Sequence, residues 1–258
     1  MNIVVTNDDG LNTPGIWALA EALCQVGNVS VVAPDREQSG VGMAISYTHP
    51  VRVTEVISRI EGVKTLAVEG TPADSVILAV QGLTPEPVDL VVSGINAGAN
   101  TGMNVMVSGT VGAAIQAHLW HIPAIAISVA TPDEPVFEPS AQFARVLAEM
   151  FKDGALSGPV ILNVNLPNIA AAEIESIDVT RLAKGAYVDT LEKVDGARDD
   201  YYWVARGKAD WVADPGTDVW AIRNKRISIT PLHVQLTSEL TAPLLAELAP
   251  TLFQAFQG

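Results

Sequence analysis

The sequence is poor in cysteine, in basic residues and in long hydrophobic runs, and each shortage excludes something. One cysteine in 258 residues, Cys24, rules out an internal disulfide and a site built from several thiolates. Fifteen Lys and Arg stand against 29 Asp and Glu, a formal net charge of −14. A surface of that sign repels a phosphate-coated polymer, so no nucleic-acid polymer is expected as a partner. A small anion held by local groups is not excluded by the same argument. No apolar run reaches the roughly 20 residues needed to span a bilayer, and the segment 122–130 falls far short. No membrane association is therefore expected. Asp8 and Asp9 interrupt the stretch where a secretory signal would be apolar, which points to the cytoplasm. Neither a G-x-G-x-x-G following a strand nor a G-x-x-x-x-G-K-[ST] is present, so the usual dinucleotide and P-loop readings lack their main feature.

What is present is a series of short apolar runs ending in small or polar residues: 3–5, 29–33, 66–68, 89–92, 124–129 and 160–164. Runs that are apolar throughout suit strands covered on both faces. Between them, Pro14 suits the first turn of a helix to about residue 26, and Thr71-Pro72 reads as N-cap and first position of a helix toward Val80. A third helix is expected from about Gly109 to His118. The pattern is that of an α/β fold, a doubly wound, mostly parallel sheet. Beyond about residue 166 the rhythm changes. Segments 177–180, 201–205, 211–212 and 227–230 look like strands without crossover helices, 190–200 like an exposed polar excursion, and 242–256 like an amphipathic helix. We expect one unit with a site-bearing part (1–166) and a β-rich extension ending in a helix (167–258).

In such sheets ligands bind beyond the carboxyl ends of the strands, and the unusual polar residues lie at those ends. Asp8-Asp9 places two carboxylates side by side after the first strand; they repel unless a hard cation sits between them. The plainer reading is a capped Asp-Gly turn. Ser39-Gly40-Val41-Gly42 offers a hydroxyl and little bulk, a weak signal alone. Ser93-Gly94-Ile95-Asn96-Ala97-Gly98-Ala99-Asn100 supplies amide oxygens suited to Mg²⁺, Mn²⁺ or Ca²⁺, or is simply a Gly/Asn turn. Ser108-Gly109-Thr110 opens an Ala-rich helix, where hydroxyls and free N–H groups hold phosphate as readily as Ser108 caps the helix. A two-carboxylate cation site beside a helix-end anion site makes a phosphoryl-transfer pocket. Cys24 is expected in the core. His118, His121 and His233 read as structural, and Trp203, Trp211 and Trp220 as packing for the late strands or a subunit contact.

Taken in order, Asn7-Asp8-Asp9-Gly10, Ala33-Pro34-Asp35-Arg36, Ser39-Gly40, Gly70-Thr71-Pro72-Ala73-Asp74, Ser93-Gly94-Ile95-Asn96, Ser108-Gly109-Thr110, Asn163-Val164-Asn165, Thr217-Asp218 and Thr230-Pro231-Leu232 resemble the SurE family of metal-dependent nucleotidases. The resemblance implies a Rossmann-like core whose C-terminal extension serves dimer or tetramer assembly. It implies hydrolysis of nucleoside 5′-monophosphates, and in some cases 3′-monophosphates, to nucleoside and phosphate with one divalent ion, Mg²⁺ or Mn²⁺, per subunit. It further implies Asp8, Asp9, Ser39 and Asn96 as metal ligands and Asn96, Ser108, Gly109 and Thr110 as substrate contacts. From the paired acids we expect Asp8 and Asp9 to be the catalytic residues, with Asp8 favoured to take a proton from water or assist the leaving oxygen. Two rival readings are a nucleotide- or metal-sensing module without turnover and a haloacid-dehalogenase-type phosphatase. The latter needs a second Asp two residues after the nucleophile, where Gly10 stands.

Overall fold

Residues 1–131, 133–185, 187–194, 201–209 and 212–257 are described by a computed structural model. The unbroken apolar runs become the centre of one sheet. They form β1 (Asn2–Thr6), β2 (Asn28–Pro34), β4 (Lys64–Val68), β5 (Leu90–Ala97), β6 (Ala124–Val129) and β7 (Ile161–Leu166), with a short β3 (Val53–Glu55) before β4. With β8 (Ser176–Val179) and β11 (Arg226–Leu232), the nine strands run in the order β3-β4-β2-β1-β5-β6-β7-β11-β8. From β4 through β7 every neighbour is parallel. Antiparallel pairing occurs where β3 meets β4 and where β11 meets β7. The remaining strands, β9 (Tyr187–Val194) and β10 (Tyr201–Ala209), make a separate antiparallel hairpin.

Helices cover both faces because both faces of the central strands are apolar. On one side, α1 (Pro14–Leu23) and α4 (Glu138–Lys152) bury Ile16, Leu19, Leu23, Ala144 and Leu147 against Ile3, Val5 and Val92. On the other, α2 (Pro72–Leu78) and α3 (Gly109–Leu119) bury Val76, Val111, Ala113, Ala114 and Ala117 against Val4, Val32 and Val91. The alanines of α3 let its axis lie close to the strands. Helix starts follow the local chemistry: Thr71 and Asp74 form a reciprocal capping box at α2, and Ser108 Oγ accepts from Val111 N at α3. α5 (Asp218–Arg223) and α6 (Ala242–Gln257) complete the order.

The topology decides where a ligand can bind. The chain builds outward from β1 through β2 to β4, then returns to the far side of β1 with β5 and continues through β6 to β7. Connections from β1 and β5 leave in opposite directions, which opens a crevice at their carboxyl ends. Asn7-Asp8-Asp9 follows β1 and Asn96 is the penultimate residue of β5, so the two segments meet there by topology.

Several boundaries differ from expectation. α1 stops at Leu23, so Cys24 is a cap residue pointing to solvent and is exposed, not core. β5 runs on to Ala97 because, after a register irregularity, Asn96 and Ala97 pair with Ser128 and Val129; half of the supposed Gly/Asn loop is strand. Residues 190–194 of the expected polar excursion belong to β9, although exposed. Residues 195–200 and Trp211 lie outside the described residues. The segments that became β3 and α5 are three and six residues long, too short to show a period. No helix among the described residues is long and apolar enough to cross a membrane.

Past β5 the chain is fixed by a buried amide cluster. Asn100 N donates to Asn165 Oδ1 (2.8 Å) and Asn100 Nδ2 to Ser128 Oγ (3.0 Å). Asn163 and Asn165 both donate to Asn100 O, at 2.8 and 3.1 Å. Replacing one partner leaves the others dry and unpaired. Asn165→Ala should lower unfolding free energy by about 1–3 kcal/mol, seen as a lower urea midpoint with an unchanged slope.

Candidate active site

The site is assembled from the residues that follow β1, β2 and β5 and from the amino end of α3. Asp8 is buried, and its carboxylate accepts from the Thr110 hydroxyl while the N–H groups of Gly109 and Thr110 face it. A Cβ placed on Gly109 would stand 2.7 Å from the Asp8 Cβ, so only glycine lets the helix end approach this closely. Burial raises the Asp8 carboxyl above its ordinary pKa, against the pull of those helix-end donors. Burial, and then the charge of Asp8, push Asp9 up to about 6. The Ala97 N–H, 3.3 Å from Asp9 Oδ2, opposes this, while Glu37 adds to it.

The other predicted residues gather around this pair. Asn96 Nδ2 donates to Gly98 O at 2.6 Å, which leaves the amide oxygen as the free end of the side chain beside Ala97. The loop after β2 is tied to both sides of the crevice: Gln38 N donates to Asp8 O (2.7 Å) and Gly42 N to Val107 O (2.9 Å). Ser39 sits within that loop. It is exposed, and its hydroxyl donates to Glu37 Oε1 at 2.9 Å. Ser108 serves as the N-cap of α3. Of the seven predicted residues, Asp8, Gly109 and Thr110 are in direct contact. Asp9 and Asn96 are joined through Ala97, Ser108 adjoins Gly109, and Ser39 reaches the group only through Glu37.

Gly10 closes one alternative. It has φ +93°, and a Cβ there would lie 2.8 Å from the Arg36 carbonyl carbon, so the backbone has no room for the second acid of a haloacid-dehalogenase site.

The similarity to known proteins covers nearly the whole chain. Residues 3–189 match the family described as Survival protein SurE. A protein named 5′-nucleotidase SurE from Geobacter sulfurreducens is 45% identical over 247 residues, 95% of this chain and 92% of that one. Another of the same name, from Pelobacter propionicus, is 47% identical over 92% of this chain and 95% of its own. The crystal structure of the SurE protein from Aquifex aeolicus superposes with a TM-score of 0.80 at 37% identity, spanning 96% of this chain and all of that one. The chain belongs to the SurE family.

A divalent ion fits this SurE site on the chemistry of the donors present. Two carboxylates that cannot both ionise comfortably, an amide oxygen and a nearby hydroxyl make an oxygen-only set with no sulfur or imidazole. The Asn7 side-chain oxygen is also buried here without a hydrogen-bond partner. No cluster of three or more His, Cys, Asp or Glu side chains suited to a metal occurs among the described residues, so two acids with neutral oxygens is the set on offer. Sequence reading passed over Glu37, whose charge adds to the raised pKa of Asp9, and over Asp218, which is buried outside the site. Glu37 was visible only as one charge in Asp35-Arg36-Glu37, and Asp218 only as half of the Thr-Asp pair; nothing in either local sequence marks its distant contacts. Among the residues read as structural, Trp220 stacks under Arg226 at 5.0 Å, Trp203 is exposed on the hairpin, and His121 and His233 face solvent.

The raised Asp9 value has a thermodynamic consequence for the metal-free protein. The fold holds this proton more tightly than the unfolded chain does, so ionised Asp9 weakens the fold above about pH 6, and the penalty is gone below about pH 4. Asp9→Asn should therefore stabilise metal-free protein at pH 7.5 by about 2 kcal/mol. In thermal unfolding that is a Tm higher by roughly 5 °C, with the two proteins converging at pH 4.

Proposed function

We propose that this protein is a metal-dependent nucleotidase that hydrolyses nucleoside 5′-monophosphates, and 3′-monophosphates as well, to nucleoside and phosphate. The observation that carries the reading is the Asp8–Asp9 pair beside the amino end of α3, where the Asp8 carboxylate already takes helix-end donors. The name 5′-nucleotidase borne by relatives 42–47% identical supports it. A phosphate dianion needs a positive field, and this acidic chain supplies one only through the helix end and a bound cation.

In this reading Asp8, Asp9, Ser39 and Asn96 hold one Mg²⁺ or Mn²⁺, which when bound polarises the phosphoryl group and lowers the pKa of water. Ser108, Gly109 and Thr110 orient the phosphate. The Ser108 hydroxyl and the N–H groups of this helix end donate to oxygens on which charge grows as the ester bond breaks. Thr110 O–H, already bonded to Asp8, keeps that carboxylate aimed at the phosphate side. Asp8 accepts the proton of the attacking water, and Asp9 remains a ligand. Asn96, held by Gly98, contributes oxygen without further negative charge.

We assign residues 1–166 to the site-bearing core and 167–258 to assembly into a homodimer or homotetramer. Leu244, Leu245, Leu248, Leu252, Phe253 and Phe256 of α6 are all exposed, and no residue of that helix is buried. Tyr201, Tyr202, Trp203 and Val204 are exposed on the hairpin. An apolar cavity of about 750 Å³ between α3 and the end of β11, lined by Ile115, Leu119, Leu182 and Leu232, is a matching surface. The lone Cys24 is free, which suits a reducing cytoplasm.

Phosphate release should be measured across nucleoside 5′- and 3′-monophosphates with Mg²⁺, Mn²⁺ or chelator. Turnover is expected with metal, with loss of both turnover and nucleotide binding on chelation. Asp9→Asn should remain folded yet lose at least about a hundredfold in turnover; wild-type turnover in saturating metal would refute the assignment. Tight nucleotide binding with no release under any condition would make the protein a sensor. For assembly, Leu248→Glu with Phe253→Glu should yield monomers in sedimentation velocity, while the parent protein sediments as a dimer or larger.

A further inference from the structure

The geometry points to Asp218 as a positioning residue for the anion-binding end of the site. This rests on the assignment of Ser108, Gly109 and Thr110 to phosphate. Asp218 is fully buried, and no basic side chain pairs with it among the described residues. Its charge is met instead by main-chain donors: Gly102 N at 2.8 Å on Oδ2, Ala183 N at 2.9 Å and Val219 N at 2.8 Å on Oδ1. Burying a carboxylate without a cation is expensive, and capping does not account for it, because Thr217 already caps α5 by accepting from Trp220 N. What Asp218 does is hold two distant backbone segments with its two oxygens.

The segment held by Oδ2 leads straight into the site. Gly102 (φ +53°) opens a single tight turn, 102–106, followed by Val107 and the N-cap Ser108. Ser108 N bonds back to Asn104 O (3.2 Å) and Asn104 N to Thr101 O (3.2 Å), so displacement of Gly102 passes through one turn to the phosphate donors. The turn hangs from two anchors. Asn100 is held from within the core by Asn163, Asn165 and Ser128. Gly102 is held by Asp218, from the C-terminal extension, with Met103 N on Gly185 O (3.3 Å) as a weaker companion.

The second oxygen fixes where Asp218 itself stands. Arg181 N donates to Gly216 O (3.1 Å) and Asp218 N to Arg181 O (3.0 Å), zipping 181–183 to 216–218 at the base of the β9–β10 hairpin. One carboxylate thus joins the hairpin base to the turn that presents Ser108. Among the described residues, Asp8, Asp9 and Asn96 make no hydrogen bond to Asp218, and Asp8 meets this segment only beyond Ser108, at Gly109 and Thr110. Losing Asp218 should loosen phosphate binding and spare the metal.

Asp218→Asn keeps the shape but turns an NH₂ either toward Gly102 N–H or toward the N–H groups of Ala183 and Val219. Inorganic phosphate as a competitive product inhibitor should then bind about tenfold more weakly, while Mn²⁺ affinity by calorimetry stays within about twofold. Ser108→Ala is the reference. If Ser108→Ala weakens phosphate and Asp218→Asn does not, the positioning role is overturned and the phosphate assignment survives; if neither does, the phosphate assignment falls and this inference with it. Equal loss of Mn²⁺ and phosphate binding would mark Asp218 as a general structural residue and overturn the proposal. Should Asp218→Asn fail to fold, amide exchange on the wild-type protein decides. Phosphate with Mn²⁺ must slow exchange at 181–185 and 216–219 together with 101–110, and protection confined to 101–110 overturns the proposal.

Discussion

Two carboxylates forced together at the end of a buried strand set the terms for everything around them. Asp8 and Asp9 are adjacent in the chain, leave β1 where both faces of the sheet are covered, and lack a basic partner among the described residues. Burial raises both pKa values, and the charge of Asp8 raises that of Asp9 further. The protein offsets part of that with main-chain dipoles: the amino end of α3 for Asp8, the Ala97 N–H for Asp9. The remainder is left for a cation, which is how an acidic protein can attract an acidic substrate.

Close approach is the second requirement, and it explains the glycines in the crevice better than flexibility does. Gly109 lets α3 touch the Asp8 side chain. Gly94 lies under the Ile127 carbonyl, where a Cβ would be 2.3 Å from its oxygen, and Gly112 lies under the Gly42 carbonyl at 2.4 Å. Each brings backbone donors or a loop within reach of the strand ends. A side chain at Gly109 would separate the helix end from Asp8 and undo the electrostatic offset.

The extension after β7 is built into this arrangement rather than hung beside it. β11 pairs directly with β7, and β8 with β11, so the late strands complete the central sheet. Asp218 then reaches back to Gly102. The hairpin and α6, by contrast, expose apolar side chains that the isolated chain does not cover. Burying them against a second copy would place the base of the hairpin, and with it Asp218, beside a subunit contact.

Much of this was legible in the residues alone. Apolar runs of strand length, Pro14 and Pro72 in first turns, and Ser108 ahead of alanines determined the parallel core, because strands buried on both faces and helix caps leave local signatures. The concentration of Asp8, Asp9 and Asn96 at the ends of such runs, with Ser108 ahead of α3, pointed to the crevice at the carboxyl ends of the strands, where the fold gathers them. Other features required the folded chain. β5 extends through Asn96 because β6 lies alongside, Cys24 faces out because α1 ends one residue earlier, and Glu37 acts on Asp9 across a loop. Asp218 meets Gly102 from 116 residues away. Local chemistry is written in neighbouring residues, whereas a buried charge is satisfied by whichever backbone the tertiary fold brings to it.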